Sequence, residues 1–236
     1  MQRYFTEERK EDVCFLNEED SYHLQVVMRK KEEDLVEVVH KDKLYIGKIE
    51  KTGKKTKIRI LEEKETEEDT YHVTIAQALI KDKKMDFVLQ KATELGVEEI
   101  IPLKTIRSVV KIEQKAEKKI ERYQKIVKEA SSQSKRVKIP VVREIMSIEE
   151  LVKLDYDVKI ICSVNEMSTS IKKVLDNIKI SDRILFVVGA EGGFEDKEES
   201  FLVENGFQRV TLGKNVLRTE TAPLYILSVV SYKFMR

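Results

Sequence analysis

Two cysteines and three histidines are all the thiol and imidazole ligands in 236 residues. Cys14 and Cys162 lie far apart, and His23, His40 and His72 are scattered. None of them has the spacing of a zinc site, so no metal is expected. Two distant thiols suit a reducing compartment. No apolar run is long enough to cross a bilayer. The opening residues do not read as a signal peptide, so the expected location is the cytoplasm. There is no phosphate loop ending in Gly-Lys-Ser/Thr and no full G-x-G-x-x-G fingerprint. Internal repeats and low-complexity segments are also missing.

Charge of one sign is scarce as well, with a net value of only +1, although charged residues make up 37% of the chain. The distribution is uneven. Residues 41–59 carry 8 basic against 2 acidic side chains, and residues 103–138 carry 12 against 4. Such clusters suit phosphate contacts. They equally suit the solvated faces of a Lys-rich protein.

What is present is organised around two strand-to-loop junctions. Ile184 to Val188 is a continuous apolar run, as in a strand buried on both faces of a parallel sheet. It leads into Gly189-Ala190-Glu191-Gly192-Gly193 and then the acidic helix start Glu195-Asp196-Lys197-Glu198. A second junction follows, Val210-Thr211-Leu212-Gly213 through Leu217-Arg218-Thr219-Glu220-Thr221. Glycines here allow a ligand close to the main chain, and ligands of open α/β sheets sit at the carboxyl ends of strands. A lone glycine cluster also suits a tight turn. The polar residues beside the second loop exceed what a turn requires.

The preceding chain reads in two parts. Arg3-Tyr4-Phe5 is a short strand, and Glu18 to Met28 a helix with His23 and Leu24 on different faces. Strands follow over Leu35–Val39, Lys43–Ile49 and Lys57–Leu61, with turn signals between them. Short strands at this spacing imply a small barrel. Acidic Glu62 to Thr70 is a linker or a charged edge, which sets domains of 1–70 and 71–236. The second part opens with a strand over Tyr71–Ala78. A helix capped by Asp82 and closed by Gly96 follows, then a strand over Val97–Leu103. This βαβ unit predicts a parallel sheet. Further helices are expected over Lys115–Ser134, after the capping box Ser147/Glu150, around Ile171–Ile178, and at the end with Pro223 in the first turn. Val158–Cys162 reads as a strand.

Several of these segments together resemble one family. Lys83 through Val97, Glu129 through Arg136, the Gly189–Gly193 loop, and Leu212-Gly213 through Leu217-Arg218-Thr219-Glu220-Thr221-Ala222 resemble signatures of the bacterial 16S ribosomal RNA uracil-N3 methyltransferases. Arg3-Tyr4-Phe5 and His23-Leu24 to Arg29 match too, so the resemblance spans nearly the whole chain in order. One departure is Ala190, where that family usually has proline.

The resemblance implies an α/β fold. A small N-terminal PUA-like β-barrel that binds RNA would precede a mostly parallel α/β domain with a C-terminal trefoil knot, of the knotted (SPOUT) methyltransferase superfamily. It further implies a homodimer, S-adenosyl-L-methionine as methyl donor, and a uridine of 16S rRNA or the assembled small ribosomal subunit as target. Another RNA such as tRNA, or a non-catalytic assembly role, are the alternatives. By the same resemblance the cofactor pocket comprises Ser163, Gly189, Glu191, Gly192, Gly193, Leu212, Gly213, Asn215, Leu217 and Arg218. A cofactor without phosphates fits the missing phosphate-loop motifs.

Methyl transfer to an imide nitrogen needs its proton removed and charge on the uracil oxygens stabilised. Arg218 is the candidate for that charge, and Glu191 for base or cofactor orientation. Alternatives are a structural pairing of Arg218 with Glu220 or with a carboxylate across the dimer. Glu191 could instead cap the next helix or pair with a nearby Arg. Arg3, Arg29, Lys54, Lys55, Lys57, Arg107 and Arg136 are the candidate RNA contacts.

Overall fold

The computed structural model describes residues 1–66, 71–108 and 116–234. The chain forms two compact units, Met1–Glu68 with Ser131–Lys138, and Asp69–Ala130 with Ile139–Arg236.

In the first unit, β1 (Arg3–Phe5), β2 (Glu8–Lys10) and β3 (Val13–Phe15) precede α1 (Glu18–Tyr22). A wide π-helical turn (His23–Val27) follows, then β4 (Leu35–His40), β5 (Lys43–Lys51) and β6 (Lys57–Lys64). The sheet order is β1-β4-β5-β6-β3-β2. β1 runs parallel to β4, and every other pairing is antiparallel. The two outermost strands are separated in sequence only by Thr6 and Glu7, which span at most about 7 Å. The sheet therefore curls until its edges approach. Thr6 ties together the strands next to those edges, its amide donating to Val39 O of β4 at 3.0 Å and its hydroxyl to Phe15 O of β3. Tyr4, Leu16, Leu24, Val36, Val38, Ile49 and Ile58 fill the concave side.

Three segments differ in detail from the expected elements. β2 and β3 have no counterpart in the sequence reading, because only Cys14 among their six residues is fully buried and no alternation is visible. The helix from Glu18 keeps α-geometry for five residues and then widens. The acidic stretch from Glu62 begins as strand: Glu62, Glu63 and Lys64 continue β6 against Ile46, Tyr45 and Leu44. Backbone pairing decides there, since those side chains are all exposed. Residues 67–70 of the expected linker lie outside the described residues.

The later chain provides β7 (His72–Ala78), α2 (Asp82–Glu94), β8 (Glu99–Lys104), α3 (Ala116–Gln133), β9 (Val141–Val142), β10 (Met146–Ser147), α4 (Ile148–Leu151), β11 (Val158–Cys162), α5 (Ile171–Leu175), β12 (Arg183–Val188), α6 (Asp196–Glu204), β13 (Gln208–Val210) and α7 (Ala222–Phe234). The second sheet is parallel throughout, in the order β10-β8-β7-β12-β11-β13, with β9 beside β8. Alternation along each strand feeds two cores. Ile184, Phe186 and Val188 of β12 join residues of α2, α3, α5 and α7 on one face. Leu185 and Val187 join α4, α6, Phe194 and Phe207 on the other. Burial on both faces accounts for the unbroken apolar run.

α2 ends in a Schellman motif. Gly96 takes φ +89°, its amide donates to Thr93 O at 3.2 Å, and the Val97 amide reaches Ala92 O at 3.1 Å. Asp82 is not the N-cap: Lys81 holds that position without a side-chain bond. Asp82 instead accepts Lys119 at 2.7 Å, while Asp86 takes a bidentate contact from Arg122 at 2.8 Å. The expected start of α3 at Lys115 lies outside the described residues, and α5 stops at Leu175 rather than Ile178. The capping box of Ser147 and Glu150 is present. Among the described residues no helix is long and apolar enough to cross a membrane.

Candidate active site

β12, β11 and β13 are neighbours, so the loops leaving their carboxyl ends meet at one edge of the sheet. These loops hold Ser163, Gly189 to Gly193, and Leu212 to Arg218. A buried hydroxyl fastens two of them: Thr219 donates to Gly189 O at 2.6 Å and accepts from Gln77 Nε2 at 2.9 Å. Gln77 lies at the end of β7 and also donates to Ala78 O at 3.2 Å. With both amide protons used, its Oε1 stays buried without a partner among the described residues.

The glycines of the first loop have different tasks. A Cβ on Gly189 would lie 3.1 Å from the Gly193 backbone and the Phe194 ring, so any side chain there would crowd its own turn. The turn closes through Gly193 N to Ala190 O at 2.9 Å, with Gly193 at φ +71°. That bond uses the carbonyl of Ala190, a group proline also has, which explains how alanine preserves the turn. Gly192 lies beneath Arg107, whose Nη1 donates to Gly192 O at 2.5 Å and whose Nε donates to Glu195 Oε1 at 2.8 Å. The Glu195 bond holds the Arg107 guanidinium above its ordinary value.

Among the described residues Glu191 neither caps α6 nor meets an arginine. Glu195 is the cap of α6, in a capping box with Glu198. Lys84, from the first turn of α2, bridges Glu191 at 3.0 Å and Glu220 at 3.1 Å. The hydrogen bond to Glu191, then that to Glu220, raises the Lys84 pKa. Burial works against ionisation of Glu220, yet its own backbone amide, Lys84 and Arg218 bring it below the usual carboxylate value. Arg218 is exposed, and its guanidinium makes no bond or ion pair with the described residues. Lys84, not Arg218, is the partner that Glu220 holds.

Across the second loop, Gly213 takes φ +137° and a Cβ there would meet open space. Leu212 and Leu217 pack against the core, whereas Asn215 and Val216 face outward. Ser163 is buried, bonded through its amide to Val210 O at 3.0 Å, and its hydroxyl accepts from Asn165 N at 3.1 Å. Beyond it, Glu166 accepts the Ser168 hydroxyl at 2.6 Å and the amides of Ser168 and Thr169 at 2.7 and 2.8 Å.

The candidate RNA contacts divide. Arg3 is only 5% exposed, pairs with Glu37 at 2.9 Å and bonds Lys135 O, all within the first unit. Lys54, Lys55 and Lys57 are exposed; the first two lie beside Glu18 at 3.6 Å and Glu8 at 2.7 Å. Arg29 is exposed at φ +53°, and Arg136 closes the end of α3 through its amide. Part of the basic stretch 103–138, residues 109–115, lies outside the described residues. No cluster of three potential metal ligands occurs among the described residues.

Sequence reasoning misses Lys84, Gln77 and Thr219 as site residues. Gln77 carries a usable signal, an amide near the end of an otherwise apolar strand. Lys84 lies in the Lys83–Val97 segment that carries the resemblance, but nothing there singles it out among so many lysines.

A parallel sheet whose glycine-bearing loops converge at one edge defines a ligand-binding α/β protein, and its class is set by a match of residues 66–231 to the RNA methyltransferase domain. The chain belongs to the family of the ribosomal RNA small subunit methyltransferases E. It is 34% identical to the Bacillus subtilis member over 99% of this chain and 97% of the relative. Identity to the Aquifex aeolicus member is 33%, over 98% and 99%. The crystal structure of the Neisseria gonorrhoeae member, bound to S-adenosyl methionine, superposes with a TM-score of 0.88 at 32% identity, covering 99% of this chain and 98% of that one.

Proposed function

We propose that the chain transfers a methyl group from S-adenosyl-L-methionine to N3 of a uridine in small-subunit ribosomal RNA. The observation that carries this reading is the free guanidinium of Arg218 beside loops locked together by Thr219 and Gly189. The Neisseria gonorrhoeae relative, with S-adenosyl methionine bound, supports the choice of donor. The residues here fit it: exposed Gly213 and Asn215 beside apolar Leu212 and Leu217. When bound, that group supplies an electrophilic methyl on a sulfonium. Ser163, the Gly189–Gly193 turn and the Leu212–Arg218 loop would hold it. Arg218 then offers two parallel N–H donors to the uracil oxygens as negative charge develops.

The further proposals follow from the same family. The curled first sheet is a PUA-like RNA-binding barrel, the chain end is threaded as a trefoil knot, and the protein works in the cytoplasm. Phe87, Tyr225 and Tyr232, exposed on α2 and α7, are apolar surface for a homodimer. The test is methylation of small subunits lacking the modification, with mass mapping of the product. An N3-methyluridine at one position supports the reading. Methylation of tRNA instead, or donor binding without transfer to any RNA, defeats it.

A further inference from the structure

A cavity of about 530 Å³ opens at the carboxyl ends of β8 and β10, on the opposite side of β7 from the glycine loops. Its apolar wall is Ile106, Ile148 and Phe201, and its rim carries Lys104, Lys197 and Glu149. The size is that of a small-molecule site. All strands of the sheet are parallel, so this cavity and the glycine loops lie along the same edge. Arg107 links them: it follows β8 and the cavity residue Ile106, and it grips Gly192 O and Glu195. Glu198 stiffens the shared wall, accepting Ile106 N at 2.7 Å and Glu195 N at 2.9 Å. Its charge is thus engaged by two amides. Lys104 and Lys197 are exposed and pair with no carboxylate among the described residues.

We propose that this cavity takes an unpaired nucleotide of the RNA substrate, a neighbour of the one that enters the glycine loops. The inference rests on the RNA reading above. Single-stranded RNA is recognised by stacking splayed bases on aromatic side chains while cations hold the phosphates. Phe201 and the exposed Ile106 provide the face for a base. Lys104 and Lys197 provide the charge for the phosphate that joins it to the next nucleotide. Two nucleotides bound along one sheet edge, with the Arg107 bridge between them, would fix the target base against the loops. The chain then reads the target together with its neighbour.

The test uses the full chain without methyl donor, and two probes: uridine 5′-monophosphate and a short single-stranded RNA containing the target uridine. The monophosphate should shift the amide resonances of Thr105, Ile106, Ile148 and Phe201. The double variant Lys104→Ala/Lys197→Ala should flatten the log–log salt dependence of RNA binding by roughly 0.7 to 1.4, the effect of no longer neutralising one or two single-strand phosphates. Phe201→Ala should weaken RNA binding roughly tenfold, the scale of removing the stacking platform for one base. Should it disturb folding, the surface lysines still decide. A wild-type salt slope in the lysine variant overturns the proposal. Because binding is read without methyl transfer, that result in an active methyltransferase removes the cavity alone. A failed methylation assay removes the functional reading and leaves this measurement intact.

Discussion

Thr219 and Gly189, thirty positions apart, are joined by a 2.6 Å hydrogen bond from hydroxyl to carbonyl. Their partner Gln77 brings in a third strand end. The bond is buried, so neither group has water as a substitute. Thr219→Val keeps the shape and removes the donor. It leaves Gly189 O and one of the two Gln77 amide protons unpaired, at a cost of about 1–3 kcal/mol for each orphaned group. We expect a lower denaturation midpoint and weaker donor binding in calorimetry. Thr219→Ser should restore both. A valine variant with wild-type stability and affinity would show that the bond does not organise the loops.

The loop after β11 is held by one carboxylate. The Ser168 hydroxyl, then the amides of Thr169 and Ser168, lower the Glu166 pKa from 4.5 to about 2. A depressed carboxylate stabilises the fold above its unfolded value and loses that contribution as pH falls through its folded value. The loop beside Ser163 should therefore stay intact at pH 5 and loosen between about pH 4.5 and 2. Carboxyl carbon shifts followed by NMR should give Glu166 a midpoint near the lower end. A midpoint at the ordinary value would mean the three bonds do not form in solution.

The parallel sheet, both glycine loops and the βαβ unit of β7, α2 and β8 are legible because burial on two faces writes itself as unbroken apolar runs. The edges are not. β2 and β3 are three residues each, and their pairing is decided by backbone bonds that leave no side-chain period. The different kinds of glycine are also indistinguishable in sequence. Gly189 is crowded within its own turn, Gly192 sits under Arg107, and Gly213 faces open space at φ +137°. A side chain at Gly192 would crowd Arg107, and one at Gly213 would strain its backbone. Arg3 shows the same limit for charge: its partner Glu37 is thirty-four positions away, and nothing local marks it as buried.

The lysines of the β5–β6 turn give a contrasting pair of outcomes. Lys54 and Lys55 meet acidic partners on the surface, where solvent screening leaves such pairs worth little. A phosphate can displace them at little cost. Replacing Lys54, Lys55 and Lys57 together by Ala should flatten the salt dependence of RNA binding, by up to roughly one log–log unit for each phosphate left unneutralised, and leave the thermal midpoint unchanged. Arg3→Gln should do the reverse, lowering the midpoint with little change in slope, because it strips a partner from Glu37. An unaltered slope in the lysine variant would make those side chains solubilising only.

Arg218 lies exposed beside the converging loops. Its guanidinium is free, while the carboxylate nearest in sequence, Glu220, is taken by Lys84 at 3.1 Å. A charged group left unpaired beside converging loops is poised for a partner that arrives with the substrate. Guanidinium stays charged at any working pH and offers a planar fork that matches the uracil carbonyl and its neighbouring atoms. Arg218→Lys keeps the charge and loses the fork. Single-turnover methylation should fall by roughly 100-fold or more, the scale of removing one preorganised donor from a charge-stabilising site. Donor affinity should hold, because main chain and apolar side chains make that pocket. The thermal midpoint should hold too, since no bond among the described residues is broken. A lowered midpoint or a lost dimer, with normal chemistry in the molecules that stay folded, would move Arg218 from the reaction to the subunit interface.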